Sequence, residues 1–257
     1  MGNYYYLASS LPPLDFPHKA EISFASLSTP LELNLSKEDL NKVRVLRLFI
    51  DLCNIRPLLQ EEVIDPRGNL KEKELEEAIL SETIFPDYVF DFLKEHETLS
   101  EKLRAFPSLL AKFFQEETSR QKGFLRVFFE FERQWRLVVL ALRAKKLQRD
   151  LLKELQFEDL HDPFVMQILA QKDADIYEPP SEYREIKEIL QACGPDPWQQ
   201  NQSLCAYRFY KIREMIDESP FSIDRILAYL AQLMIIEYWN ELDEVKGRAI
   251  LDTFKNQ

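Results

Sequence analysis

The run FLRVFFEFERQWRLVVLALRAKKLQRD, residues 124–150, contains neither proline nor glycine. Its apolar residues Leu125, Phe128, Phe129, Trp135, Val138, Val139, Leu142 and Leu147 recur close to the i, i+3, i+4 spacing of a helix. Gly123 stands just before it, and Arg143, Lys145, Lys146 and Arg149 gather at its far end, where cations suit the carbonyl end of a helix dipole. At ~1.5 Å per residue such a helix is a rod of roughly 40 Å. Aliphatic residues lie on several faces around Val138, so the rod is expected to be buried and to need other helices around it.

The rest of the chain can supply them. There are 18 Phe and 10 Tyr but only 5 Gly in 257 residues, and β-branched residues are sparse beside Leu, Glu and Lys, which favours helix over sheet. The expected fold class is all-α, in pseudo-repeated helical bundles, with an irregular or short-strand N-terminal segment. Net charge is −11, which argues against non-specific nucleic-acid binding and suits a basic protein partner.

Cys53, Cys193 and Cys205 are scattered and odd in number, as expected of reduced thiols in a cytoplasmic protein. The opening MGNYYYLASSLPPLDF lacks the charged and apolar regions of a signal peptide, and Gly2 has no serine at the position a myristoylation signal needs. The longest apolar run, LAYLAQLMII at 227–236, is far short of the ~20 residues that span a bilayer.

Residues 1–35, with Pro12, Pro13 and Pro30, read as an extended segment packed over a helical body covering 36–257. Within that body Ser36 with Asp39 opens a helix that Pro57 bends or ends. Asp65-Pro66-Arg67-Gly68 is a turn, and NLKEKELEEAIL, residues 69–80, is an exposed helix with a solvated charge run. Further helices are expected from Asp87, from Ser100, on both sides of His161-Asp162-Pro163, from Ser181, over 198–217 and over 223–244. Gly247 separates a short terminal helix. Glu178-Pro179-Pro180 and Cys193-Gly194-Pro195 are the clearest breaks.

Signatures of catalysis are missing from the sequence: no phosphate-binding G-x-x-x-x-G-K-[ST], no G-x-G-x-x-G, no H-E-x-x-H and no G-x-S-x-G. His18, His96 and His161 have no second ligand at helical spacing and read as surface or capping residues. The acidic run 72–77 lacks the Glu-x-x-His pairs of a di-metal bundle. No catalytic, cofactor-binding or metal residue is therefore expected, nor a small-molecule substrate. The cationic run Arg143, Lys145, Lys146, Arg149 reads either as a solvated helix end or as a contact for an acidic partner or anionic head groups.

A weak internal repeat is more informative. Asp51 with Asn54, Glu132 with Trp135, and Glu237 with Asn240 each place an acid and a partner three residues apart, on one helix face, the first after the apolar triplet Leu48-Phe49-Ile50. An unpaired carboxylate in such surroundings is costly, so each acid is expected to meet an Arg or a backbone donor. The acids are 81 (132 − 51) and 105 (237 − 132) residues apart. Three unequal repeats follow, at about 36–98, 99–172 and 181–257.

FEFERQWRLVVLALRAKK, residues 129–146, resembles the mid-chain helix of the C-type stalk component of the archaeal and vacuolar-type rotary ATPases, known as the d-type component in the vacuolar enzyme. In that family an acid, an Asn-like position and a leucine-rich stretch ending in Arg follow one another. Glu132, Trp135 and Arg143 take those places, with Trp135 departing from the usual Asn. Ile50 to Leu59 resembles the equivalent first-repeat segment. Residues 228–254 resemble the family's C-terminal helix through Tyr229, Glu237, Asn240 and Gly247. YYYLASSLPPLDF is similar to a bacterial family of uncharacterised proteins that accompanies V-type ATPase genes where the standard C-type component is lacking. The chain is shorter than a typical member of the C-type family, so part of at least one repeat is trimmed.

The resemblance implies a non-catalytic rotor part without cofactor. It would join the central-stalk subunits to the membrane proteolipid ring, on the cytoplasmic side and peripheral to the inner membrane, without inserting into it. Its place would be in proton or sodium transport. Two other readings stay open: a helical interaction module, such as an assembly factor or regulator, and an enzyme whose cavity is lined by Glu132 and its counterparts.

Overall fold

The computed structural model describes residues 4–216 and 219–242. Helix makes up 69% of it, and no strand occurs among the described residues. The helices are α1 (Tyr5–Ser10), α2 (Ser28–Asn34), α3 (Lys37–Leu59), α4 (Glu72–Leu80), α5 (Asp87–Glu95), α6 (Leu99–Arg120), α7 (Gly123–Lys146), α8 (Leu151–Glu154), α9 (Pro163–Leu169), α10 (Arg184–Ala192), α11 (Pro197–Glu214) and α12 (Ile223–Glu241). The chain divides into two compact units: Met1–Leu40 with Glu188–Gln257, and Asn41–Lys187.

The middle unit is built on α6 and α7. Only Gln121 and Lys122 join them, and so short a connection makes two helices antiparallel neighbours. Thr98 caps α6, accepting from the Glu101 N–H while the Glu101 carboxylate accepts from the Thr98 N–H, a reciprocal box that satisfies two of the helix's orphan donors. The cap therefore sits two residues before the Ser100 that the sequence suggests. Pro107 lies inside α6 without dividing it into two elements.

Phenylalanines fill the core of this unit. Phe129 of α7 meets Phe113 of α6 edge-on at 5.1 Å. Phe49 of α3 lies 5.4 Å from Phe113 and 5.3 Å from Phe114, distances at which tilted rings attract one another. Tyr183 stacks on Phe131 and donates its hydroxyl hydrogen bond to Gln134 Oε1 at 2.6 Å. Arg133 joins α7 to the segment before α9, pairing with Glu158 at 2.8 Å and Asp162 at 3.0 Å. Asp162 also caps α9 through the N–H groups of Phe164 and Val165, so one carboxylate fixes both a helix start and its distance from α7. The acids of α4 are exposed, and only Leu75 and Ala78 of that helix are buried.

The other unit is centred on α11 and α12. α12 buries Ile226, Leu227, Ala228, Leu230, Ala231, Leu233, Ile235 and Ile236, an apolar surface reaching most of the way round, as in a central helix. Its Gln232, itself buried, donates to the Phe209 carbonyl of α11 at 3.0 Å. Phe16 packs 6.0 Å from both Phe209 and Trp239, and Trp198 lies 4.6 Å from Trp239. After α10, Gly194 adopts φ +58, the left-handed geometry in which glycine ends helices at least cost.

Three expectations need correction. The N-terminal 35 residues carry no strand among those described: α1 and α2 fold there, burying Leu7 and Leu31, and only the stretch between them is irregular. Tyr4 pins that segment, its N–H donating to the Phe221 carbonyl at 2.9 Å and its hydroxyl to Asp39. Pro57 does not end α3, which continues to Leu59. The last long helix ends at Glu241, before the expected 244, and Gly247 and the short terminal helix lie outside the described residues.

Phe129 is fully buried. Phe129→Ala should leave a void that the surrounding rings cannot fill, lowering stability by about 3–5 kcal/mol. Urea denaturation followed by circular dichroism checks this, and an unchanged midpoint would mean that the α6–α7 core is not the stabilising centre of its unit.

Candidate functional site

The three acids of the sequence repeat lie on three long helices, Asp51 on α3, Glu132 on α7 and Glu237 on α12. Asp51 and Glu132 are each 1% exposed, and Glu237 is half-buried. Each meets a donor, by a different route.

Asp51 holds a loop. Its Oδ1 accepts from the Leu70 N–H at 3.1 Å and its Oδ2 from the Asn69 side-chain amide at 2.7 Å. One turn further along α3, Asn54 accepts from the Asp65 N–H and donates to the Asp65 carbonyl, both at 2.9 Å. One turn earlier, Arg47 donates to the carbonyls of Arg67, at 3.0 Å, and of Gly68. Positions i−4, i and i+3 share a helix face, so a single stripe of α3 grips residues 65–70. Within that loop Arg67 turns back to pair with Asp65 at 2.7 Å. Gly68 is demanded by the grip, since a Cβ there would stand 2.4 Å from Asp51 Oδ1.

Burial pushes the Asp51 carboxyl up from its ordinary 3.8 to about 6, although the Leu70 and Asn69 donors and the Arg47 charge favour the ionised form. Taking a carboxylate out of water outweighs those contacts here. Burial also lowers the Arg47 pKa, with Asp51 opposing it.

Glu132 pairs with Arg136, one turn on, at 3.5 Å. The Arg136 guanidinium lies over the Phe49 ring at 4.7 Å and within 5.7 Å of the Trp135 ring, so the charge that answers Glu132 is itself held by aromatic faces. Glu237 Oε1 accepts from the Phe24 backbone N–H at 2.6 Å, tying the irregular N-terminal stretch to α12. The residues three positions on are not equivalent. Asn54 is buried in the grip, Trp135 is half-buried, and Asn240 is exposed, donating to the Ile236 carbonyl of its own helix at 2.8 Å.

The four cations at the end of α7 also separate in role. Lys145 donates to the carbonyls of Lys172 and Ala174, both at 2.5 Å, closing the loop that follows α9. Arg149 pairs with Glu154 at 3.5 Å. Arg143 and Lys146 are exposed. A cleft of about 360 Å³ beside them is lined by Trp135, Val139, Leu140, Arg143, Leu147 and Arg149, among others. Only the basic run at the helix end hinted at this cleft, because its apolar floor shares the spacing of the buried face. Among the described residues no group of three His, Cys, Asp or Glu could hold a metal ion, and no helix is long and apolar enough to cross a membrane.

The raised pKa of Asp51 has a consequence for stability. The folded protein binds that proton more tightly than the unfolded chain. The stabilisation is whole well below the ordinary 3.8 and is lost as pH rises through about 6. Relative to Asp51→Asn, wild type should therefore lose roughly 2 kcal/mol between pH 4 and pH 7. Urea midpoints of both proteins across that range test it, and parallel curves would show that Asp51 is ordinary.

A family model described as "Protein of unknown function (DUF2764)" matches residues 1–257. The chain is 32% identical over 260 residues to an uncharacterized protein of Chlamydia pneumoniae, with 98% of this chain and 97% of the relative covered. It is 29% identical over 258 residues to uncharacterized proteins of Chlamydia muridarum and of Chlamydia trachomatis serovar D, with the same coverage in each case. No solved structure matches.

Proposed function

We propose that this chain, which belongs to the protein family of unknown function DUF2764, is a non-catalytic rotor adaptor of a bacterial V-type ATPase. In this reading it sits between the central stalk and the membrane proteolipid ring and carries torque from one to the other. The observation that supports it is the set of three long helices, α3, α7 and α12, from the blocks resembling the C-type stalk component. Each bears a carboxylate tied to a donor: Asp51 to Leu70, Glu132 to Arg136 and Glu237 to Phe24. A torque-bearing part has to resist shear, and the Asp51 and Glu237 ties from helix to loop suit that task better than apolar packing alone, which lets elements slide, while the Glu132 pair lies within α7 itself. The three helices would be the repeated elements of a trimmed funnel. The polar residues then serve shape, and the partners are protein subunits.

Depletion of this protein from vesicles carrying the whole rotary enzyme should leave ATP hydrolysis by the detached head intact and abolish ion pumping. Readdition of the purified chain should restore it. Pumping at full rate without the chain would move it to the other reading, an assembly factor or regulator. Turnover by the isolated protein that Glu132→Gln abolishes would make it an enzyme.

A further inference from the structure

We propose that the cleft on the outer face of α7 is a docking groove for an acidic, amphipathic helix of a partner protein. The assignment does not rest on the rotor reading and stands or falls separately.

The cleft runs along α7 over three turns, with Val139 and Ala144 buried at its base. Trp135, Val139, Arg143 and Leu147 form one i, i+4 row, and Arg136, Leu140 and Ala144 form the row beside it. Two adjacent rows of this kind are what a second helix packs against. From 135 to 147 the stripe is about 18 Å long at 1.5 Å per residue, the length of a short recognition helix laid in a groove. Its lining is apolar and partly accessible: Leu147 is 59% exposed, Trp135 and Leu140 are half-buried, and the cleft has a volume of about 360 Å³.

Charge selects the occupant. The protein carries −11 overall, yet the cleft holds three guanidinium groups, Arg136, Arg143 and Arg149, against one carboxylate, Glu154. Arg136 is engaged with Glu132 and the aromatic rings. Arg143 is exposed, and Arg149 makes a loose 3.5 Å pair with Glu154. Two cations at one end of an apolar stripe ask for a segment with leucine-like anchors along one face and carboxylates towards one end. A bilayer fits less well, because the apolar surface is concave and the Glu154 carboxylate lines it. Nucleic acid fits less well still, since two such cations on an acidic protein neutralise too few phosphates.

The probe is a fluorescein-labelled peptide of about 15 residues, long enough to form three to four turns, with Leu at i, i+4 and i+8 and Glu grouped at one end. Its anisotropy is followed on the full-length chain at low salt. Saturable binding is expected, weakened by about tenfold or more in Arg143→Glu and in Arg149→Glu. It should also shift the tryptophan emission of wild type but not of Trp135→Phe. Lys146→Glu, exposed but outside the cleft, should bind as wild type, and circular dichroism should show each variant folded. Absence of saturable binding would overturn the proposal. So would equal binding by a peptide with Lys for Glu, equal binding with Ser for Leu, or equal weakening by Lys146→Glu. Stronger, Arg143-dependent binding to phosphatidylglycerol vesicles than to the peptide would assign the surface to lipid and reject the helix.

Discussion

A carboxylate withdrawn from water has to be met by donors, and Asp51 shows what that requirement does to a chain. At 1% exposure its charge could not persist without the Leu70 N–H and the Asn69 amide. Those donors come from a loop, so satisfying the acid also fixes the loop. Asn54 and Arg47 extend the grip to Asp65, Arg67 and Gly68, and Gly68 has to be glycine because the carboxylate occupies the space of its side chain. The same demand operates at Glu237, which takes the Phe24 N–H and so orders the stretch between α1 and α2. At Glu132 it recruits Arg136, which in turn rests on Phe49. The tie at Asp51 is specific in a way apolar contacts are not: a slipped helix would leave that buried charge unmet, a loss of several kcal/mol.

The helices were legible in the sequence because their signals are local. The Pro-free run that becomes α7, the Ser36 cap and the Asp87 start all act within a turn of where they sit. Ser100 stands out in place of Thr98 because both are followed by helix formers, and only the reciprocal bond with Glu101 separates them. The N-terminal segment misleads for a different reason. α1 and α2 are six and seven residues long, too short to be stable alone, and they form through contacts that lie far off in the chain. Tyr4 reaches Phe221 and Asp39, and Phe24 reaches Glu237.

The candidate sites were legible as positions and not as roles. That buried acids need partners follows from elementary electrostatics, but the partners are not set by a fixed offset. Asn54 and Asn240 share a spacing from their acids, yet one is buried against Asp65 and the other is exposed on its own helix. The basic run at 143–149 reads as one patch in sequence. Folding spends Lys145 on the 172–174 carbonyls and leaves Arg143 beside an apolar floor that periodicity alone cannot tell from core.

Helices tied to loops through their carboxylates, as at Asp51 and Glu237, suit a part that transmits force, and it is as a rotor adaptor that the chain is proposed to act. The direct measurement is isolation of the V-type ATPase from the source membranes in mild detergent, with the stoichiometry of its components counted by quantitative mass spectrometry. A rotor adaptor must be present in a fixed ratio to the central stalk and the proteolipid ring, and it must leave with the ring when the catalytic head is stripped off. A complete, pumping enzyme that lacks this chain, or holds it in a ratio that varies between preparations, would contradict the assignment.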